Sequence, residues 1–362
     1  MKIARVCPYY YSKKENLDGG LKPYYYNLIR QLSNYGITND VYTLDSDTKE
    51  DVFLLNKRKR FSYLLFGYDA YKKLIKTGRS YDVIHTHQPN SFLLYFFKNR
   101  FNCKFVYTLH GSPIAYKKVP IKSINAFKDV LYFYLFNYYI SKRADVIITV
   151  SSEAGNEVVK HFGVNPDKVF FVPTGADTSV FKPLKMKKDI DFIYVGRFAP
   201  KKNIPFLISV FYQMLKKNSK LKLCLIGGDK NDDDYFKIIN LVNKLNMSKN
   251  VEIHGPMRQD KLVDFYNRSR AFTLLSFEEG MPKTLLEALS CGVPAVVSNN
   301  SGMKDVVIHG SNGFFVDINN MADVENRLFE VLNKKIHVDV KNIKDKFSWE
   351  NIANKIIKIY KY

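Results

Sequence analysis

Glu279 and Glu287 stand eight residues apart in the run Glu279-Gly280-Met281-Pro282-Lys283-Thr284-Leu285-Leu286-Glu287. The apolar residues before this run read as the end of a buried strand. Pro282 suits the first turn of a helix reaching to about Cys291, with Gly292 just past its end and Pro294 beyond. In an open α/β sheet such a strand-to-helix crevice binds ligands, and the helix N-terminus near Lys283 offers free N–H groups to an anion. A carboxylate there is repelled by diphosphate itself, so Glu279 is better suited to accepting hydrogen bonds from sugar hydroxyls. Glu287, further along the helix, is placed to grip another hydroxyl pair, such as that of a ribose. Taken alone, two glutamates eight apart are also compatible with ordinary surface acids.

A second constellation lies upstream, in Tyr194-Val195-Gly196-Arg197-Phe198 and Lys201-Lys202-Asn203. A strand ends at Gly196, and Arg197 and Lys202 flank the loop before a helix with Asn203 as its N-cap and Pro205 in its first turn. Two cations at the mouth of a sheet suit a leaving diphosphate, whose negative charge grows as a glycosidic bond breaks. A plain pair of surface cations is the competing reading.

These side chains need strands and helices in alternation, which is the pattern throughout and points to a parallel α/β architecture. Strands are expected at 2–6, 82–85, 104–109 and 145–150, with helices over 24–33 and 125–142. The second half repeats the pattern more legibly, with strands at 191–195, 221–226, 251–253 and 271–275. The turn-rich Val172-Pro173-Thr174-Gly175-Ala176-Asp177 reads as a junction. At 362 residues the chain exceeds one ordinary core. The expected division is a Rossmann-like domain over 1–172, a second over 173–345 and a terminal helix over 346–362. In that helix Trp349, Ile352, Ala353, Ile356, Ile357 and Tyr360 recur at helical spacing behind Ser348, as a core-packing stripe.

Other polar clusters are weighed against plainer roles. His85-Thr86-His87 places two imidazoles on one face of a strand, yet no third metal ligand is evident. Asp45-Ser46-Asp47 imitates a metal-binding DxD, but a loop of solvated acids accounts for it. Asp18-Gly19-Gly20 follows the first strand, where paired glycines allow close approach of a ligand or simply make a turn. Cys7, Cys103, Cys224 and Cys291 are scattered with no CxxC pair, so a reducing compartment and no metal framework are expected. No GxGxxG opens a helix, which excludes a Rossmann dehydrogenase. The beginning of the chain reads as a buried strand rather than a signal peptide, and no segment approaches the ~20 apolar residues of a membrane span.

Of the formal charge of +21, residues 1–172 carry +12. Nine basic residues fall in 49–79, including Lys57-Arg58-Lys59-Arg60, and nine in 98–143 against Asp129 alone. Solvated faces are one explanation; attraction to an anionic membrane surface or a phosphate-bearing lipid is the other. No motif for nucleic acid accompanies the charge, so none is expected as a partner.

The glutamate pair, embedded in Leu286-Glu287-Ala288 and Cys291-Gly292-Val293-Pro294, resembles the EX7E signature of the retaining glycosyltransferases of family four. Val172-Pro173-Thr174-Gly175-Ala176-Asp177 followed by Phe181-Lys182-Pro183 is similar to the same family, and the resemblance covers essentially the whole chain. It implies the GT-B fold, two Rossmann-like parallel-sheet domains facing across a cleft, with the last helix returning to the first domain. It also implies a nucleotide-sugar donor, UDP- or GDP-linked, with no cofactor and no metal, held by Gly196, Arg197, Lys202, Glu279, Gly280, Met281, Pro282, Lys283, Thr284 and Glu287. By resemblance Glu279 contacts the donor sugar, Glu287 the ribose, and Arg197 and Lys202 the diphosphate. Gly19 and Gly20 then face the donor phosphates, and His110, in Thr108-Leu109-His110-Gly111, is the site histidine near the sugar. Where many members carry Gly-Phe-Gly, this chain has Gly280-Met281-Pro282, and the proline removes one backbone donor. A glycan or lipid-linked acceptor, in surface polysaccharide or glycoconjugate assembly on the cytoplasmic face of a membrane, follows as an expectation. The rivals are a nucleotide-sugar epimerase or phosphorylase of the same fold, and a non-catalytic sugar-binding scaffold.

Overall fold

The structure is a computed structural model describing residues 1–13, 21–56, 62–114 and 124–362. The chain divides into two compact units. One comprises Met1–Thr174 with the returning segment Trp349–Tyr362, the other Gly175–Ser348.

The N-terminal unit is built on seven strands: β1 (Lys2–Val6), β2 (Thr38–Thr43), β3 (Val52–Leu54), β4 (Val83–Thr86), β5 (Lys104–Leu109), β6 (Val146–Thr149) and β7 (Val169–Phe171). All pair in parallel, in the order β3-β2-β1-β4-β5-β6-β7. This is the doubly wound arrangement, with its switch point between β1 and β4. Strand alternation sorts the side chains into two cores. Ile3, Val41, Val83, Val106 and Val146 share one with the helices Lys22–Asn34 and Trp349–Lys361. Ala4, Val6, Tyr42, Ile84, Phe105, Tyr107 and Ile147 share the other, with Phe66, Leu94, Ile140 and Val158 from the intervening helices. The last helix buries Trp349, Ile352, Ala353, Ile356, Ile359 and Tyr360 in the first core, while Ile357 stays at its margin.

The C-terminal unit repeats the plan with β8 (Ile190–Val195), β9 (Leu223–Ile226), β10 (Val251–His254), β11 (Ser269–Leu274), β12 (Ala295–Ser298) and β13 (Gly313–Val316). Their parallel order is β10-β9-β8-β11-β12-β13, so the switch point falls between β8 and β11. The inner strands, such as β4, β6, β9 and β12, are buried along their whole length, whereas β3 and β10 at the sheet edges are partly exposed. No helix among the described residues is long and apolar enough to cross a membrane.

Candidate active site

At the switch point of the second sheet, β8 ends at Val195 and the chain turns through Gly196 and Arg197. The Gly196 N–H bonds to the Ile226 carbonyl at 2.9 Å. A Cβ on Gly227, whose φ is +111°, would stand 2.5 Å from the Gly196 carbonyl oxygen, so the two strand ends approach this closely only with glycine at 227. Tyr194 OH donates to the Arg197 carbonyl at 3.0 Å and fixes the turn, while the Arg197 side chain is exposed. A single 3-10 turn, Pro200–Lys202, then leads into the helix Ile204–Lys217. Asn203 occupies the N-cap position, as expected, but not in the expected way. Its side chain makes no capping bond, and its φ of +55° puts it in the left-handed region that Asn tolerates better than most residues. The position is a hinge of the turn rather than a side-chain cap.

That turn delivers Lys202 to Glu279. The ammonium lies 2.5 Å from Glu279 Oε1, with 16% and 9% of the two side chains exposed. The Phe277 N–H bonds to the Lys201 carbonyl at 2.9 Å, tying the loop after β8 to the loop after β11. Ser298 and Asn300 add a second tie, both donating to the Ser276 carbonyl, at 2.7 and 2.5 Å. The helix Lys283–Ser290 follows, with Pro282 at its N-cap and no side chain capping it. The Leu285 N–H bonds back to the Pro282 carbonyl at 3.1 Å, which leaves those of Lys283 and Thr284 to face an anion. Glu287 is buried on this helix, 2.9 Å from Lys283 Nζ and accepting from Tyr266 OH at 3.1 Å. Each site carboxylate is thus matched by a lysine, the pairing that offsets the cost of burying a charge.

Gly280 and Met281 lie in the loop that links Glu279 to this helix, and a residue that sequence reasoning missed packs against them. A Cβ on Gly302 would come within 1.6 Å of the Gly280 carbonyl oxygen, so the short helix Ser301–Lys304 packs directly on this loop. Only the pattern Asn300-Ser301-Gly302, a cap signal with glycine inside the turn, hints at it in sequence.

The N-terminal unit holds the other candidates. His110 follows β5 and is partly buried. Its Nε2 lies 3.3 Å from His87 Nδ1, and Tyr24 packs edge-on against it with ring centroids 4.7 Å apart. Burial depresses its basicity to a pKa of about 3 and holds those of His85 and His87 well below the ordinary value. Behind them lies Arg5, fully buried, with its guanidinium 3.2 Å from His85 Nδ1 and 2.7 Å from His87 Nε2. Arg5 thereby occupies one ring nitrogen of each histidine, and the other nitrogens face Thr108 and His110. Sequence reasoning missed Arg5; its one signal was a charge inside the apolar strand Ile3-Ala4-Arg5-Val6-Cys7.

The Asp45 and Asp47 carboxylates tie down the segment Tyr11–Lys13. Asp45 accepts from Tyr11 OH at 2.6 Å, and Asp47 from the N–H groups of Ser12 and Lys13 at 2.7 and 3.0 Å. A three-group cluster absent from the sequence reading, Cys224, Glu252 and His254, gathers where β9 meets β10. Burial pushes the Cys224 thiol up to about 12. Asp18, Gly19 and Gly20 lie outside the described residues, as do Lys57-Arg58-Lys59-Arg60.

Residues 176–346 match the family model described as glycosyl transferases group 1, and residues 18–180 match that of glycosyltransferase family 4. An uncharacterised glycosyltransferase of Methanocaldococcus jannaschii is 26% identical over 358 residues, covering 94% of each chain. The Escherichia coli UDP-Gal:α-D-GlcNAc-diphosphoundecaprenol α-1,3-galactosyltransferase is 28% identical over 309 residues, covering 79% of this chain and 76% of its own. Among solved structures, Anabaena HepE in complex with UDP-glucose superposes with a TM-score of 0.76 at 15% identity, covering 99% of this chain and 98% of its own. At that identity the likeness shows a shared fold.

Proposed function

The chain belongs to the glycosyl transferases of group 1 and family 4, with the GT-B fold, and from that premise we propose that it is a retaining, metal-independent transferase. It moves a sugar from a nucleotide-diphosphate sugar to a hydroxyl of a glycan or lipid-linked acceptor. The observation that carries this reading is the buried Lys202–Glu279 pair beside the uncapped start of the helix Lys283–Ser290. Before the donor arrives, each lysine rests on a glutamate. With donor bound, Lys202 and Arg197 turn to the diphosphate, the helix N-terminus takes a phosphate oxygen, and Glu279 and Glu287 accept from sugar and ribose hydroxyls. Met281, Pro282 and Thr284 line the same turn.

As the glycosidic bond lengthens, negative charge grows on the departing oxygens and Arg197 and Lys202 neutralise it. The sugar becomes oxocarbenium-like, and the acceptor hydroxyl attacks from the face the diphosphate leaves. Its proton passes to the leaving phosphate oxygen. His110 stabilises the sugar rather than attacking it. UDP is favoured over GDP, because HepE was solved with UDP-glucose and the Escherichia coli relative is named for UDP-Gal. That relative's diphosphoundecaprenol acceptor likewise supports a lipid-linked acceptor and work at the cytoplasmic face of a membrane.

The test is calorimetry with UDP and GDP, followed by incubation with UDP-glucose in EDTA. UDP binding in wild type, strong loss of it in Glu287→Ala, and near-normal binding with slow UDP release in Glu279→Ala are expected. Equal loss of UDP affinity in both variants overturns the two roles. An absolute need for a divalent ion overturns the metal-independent reading, and an epimerised nucleotide-sugar with no UDP release moves the chain to the epimerase rival.

An anionic membrane surface is the second partner proposed, supported by the helix Ile124–Arg143. Residues 130–141 carry no charge, yet Leu131, Tyr132, Leu135 and Tyr138 are each more than 40% exposed. Phe96, more than half exposed, stacks on Tyr139 beside them, and Lys142 and Arg143 close the helix. Tyrosine rings rimmed by cations suit the headgroup region of a bilayer. A second copy of a chain with charge +21 would meet the same cations and be repelled. Wild type is expected to sediment with phosphatidylcholine vesicles increasingly as phosphatidylglycerol is added, and less at high salt. Leu135→Asp with Tyr138→Asp is expected to stay in the supernatant while still releasing UDP from UDP-glucose. Wild type remaining in the supernatant on every vesicle overturns the membrane reading.

A further inference from the structure

We propose that Arg5 is a positioning residue that, acting through His87, fixes His110 in the tautomer carrying its proton on Nδ1. A guanidinium has five N–H groups and no acceptor. Arg5, fully buried, spends all five: Nε and Nη2 on Asn39 Oδ1 at 3.3 and 3.1 Å, Nη2 on Tyr360 OH at 3.1 Å, and Nη1 on His85 Nδ1 at 3.2 Å and His87 Nε2 at 2.7 Å. No carboxylate pairs with it among the described residues.

Because Arg5 only donates, both ring nitrogens facing it must accept. His87 Nε2 is therefore bare, and a neutral His87 carries its proton on Nδ1. That proton points along the 3.3 Å contact to His110 Nε2, which must in turn be an acceptor. His110 is left with its N–H at Nδ1, which has no hydrogen-bond partner among the described residues. The other branch closes consistently. Tyr360 OH accepts from Arg5 Nη2 and donates to His85 Nδ1 at 2.6 Å, sharing that nitrogen's single lone pair with the longer 3.2 Å contact from Arg5, and His85 Nε2–H donates to Thr108 Oγ1 at 2.7 Å. Protonating His110 would set two N–H groups face to face across the His87 contact, so burial and geometry both keep it neutral.

Parity along the strands makes this arrangement. Arg5, His85 and Thr108 lie on one face of β1, β4 and β5, with Arg5 paired to His85 in register, under the helices Lys22–Asn34 and Trp349–Lys361. The last helix contributes Tyr360 to the chain of bonds and Trp349 to the packing of Tyr24, with ring centroids 5.3 Å apart. In function, His110 becomes a fixed hydrogen-bond donor to the transferred sugar, neither base nor nucleophile. That consequence rests on the reading of His110 as the sugar-facing histidine; the tautomer itself does not.

The experiment is nitrogen-15 NMR of histidine-labelled full-length protein. Expected in wild type are Nδ1–H tautomers for His87 and His110, an Nε2–H tautomer for His85, and no titration of the three between about pH 5.5 and 8. Arg5→Met removes the donors, so His87 and His110 should populate mixed tautomers. UDP release from UDP-glucose should fall about tenfold in kcat with KM unchanged, the scale of one misplaced hydrogen bond. Arg5→Lys, also a donor-only cation, should restore the wild-type tautomers and most of kcat. An Nε2–H tautomer at His110 in wild type overturns the proposal, and so do unchanged tautomers in Arg5→Met. If Arg5→Met does not fold, the wild-type tautomers decide alone. Correct tautomers in a protein with no action on UDP-sugars would fault the functional reading and leave the relay standing.

Discussion

Lys202→Met is expected to cut turnover by about 10²–10³-fold, the scale of losing one preorganised electrostatic contact to a leaving group. It should also destabilise the C-terminal unit, which separates it from Arg197→Met. Lys202 is held against Glu279 at 2.5 Å with little of either side chain exposed, so removing it leaves a buried carboxylate without its cation. Breaking such a pair from one side typically costs about 3–5 kcal/mol. Arg197 is exposed and makes no ion pair among the described residues, so its replacement should slow turnover and leave the melting temperature unchanged. The double variant Lys202→Met with Glu279→Gln removes both charges and should regain most of the lost stability while staying inactive. Single-turnover release of UDP from UDP-glucose, with melting curves on all four proteins, makes the test. Wild-type turnover in folded Lys202→Met refutes the diphosphate role; a double variant no more stable than Lys202→Met refutes the burial argument.

The sequence shows these residues because the chemistry of this unit is written locally. Glu279 and Glu287 lie on one strand-loop-helix, and Arg197 and Lys202 on another, so spacing and turn residues suffice to place them. It does not show that Lys202 rests on Glu279, because 77 residues separate them and the β8–β11 pairing brings their loops together. Gly302 is hidden for the same reason: its reason for being glycine is a carbonyl more than twenty residues upstream. Asn203 shows a limit of a different kind. Its position at the start of a helix is legible, but Asn both caps helices and tolerates positive φ, and only the backbone reveals which property is used. The relay in the N-terminal unit is assembled from residues 5, 39, 85, 87, 108, 110 and 360, seven positions with no local pattern in common. What brings them together is the strand order and the return of the last helix. His85 and His87 invite a metal reading from their spacing alone, and the buried cation bonded to one nitrogen of each sits 80 residues before His85, in β1.

Acidification is expected to unfold the N-terminal unit through these same histidines. In the unfolded chain each takes up a proton near its ordinary pKa of about 6.5. In the folded unit burial holds all three below that, His110 at about 3, with Arg5 disfavouring charge on His85 and His87 as well. The groups packed around them, Tyr24, Tyr25, Tyr360 and Thr108, are neutral and supply no carboxylate to stabilise an imidazolium. Below about pH 6.5 the unfolded state therefore binds more protons than the folded one, and stability falls as pH falls. Each histidine contributes a slope of about 1.4 kcal/mol per pH unit, so three give about 4, a large fraction of a domain's stability. Carboxylates with lowered pKa, such as Asp40 and Glu330, act in the same direction only below their own unfolded values of 3.8 and 4.5. Between about pH 4.5 and 6.5 the histidines thus stand apart from them. Calorimetric unfolding in buffers of differing ionisation enthalpy should record uptake of about three protons by the N-terminal unit near pH 5.5, and fewer in His87→Gln. A melting temperature that is flat from neutral pH down to about pH 5 would mean that these imidazoles can charge in the folded state, and the neutral relay would have to be abandoned.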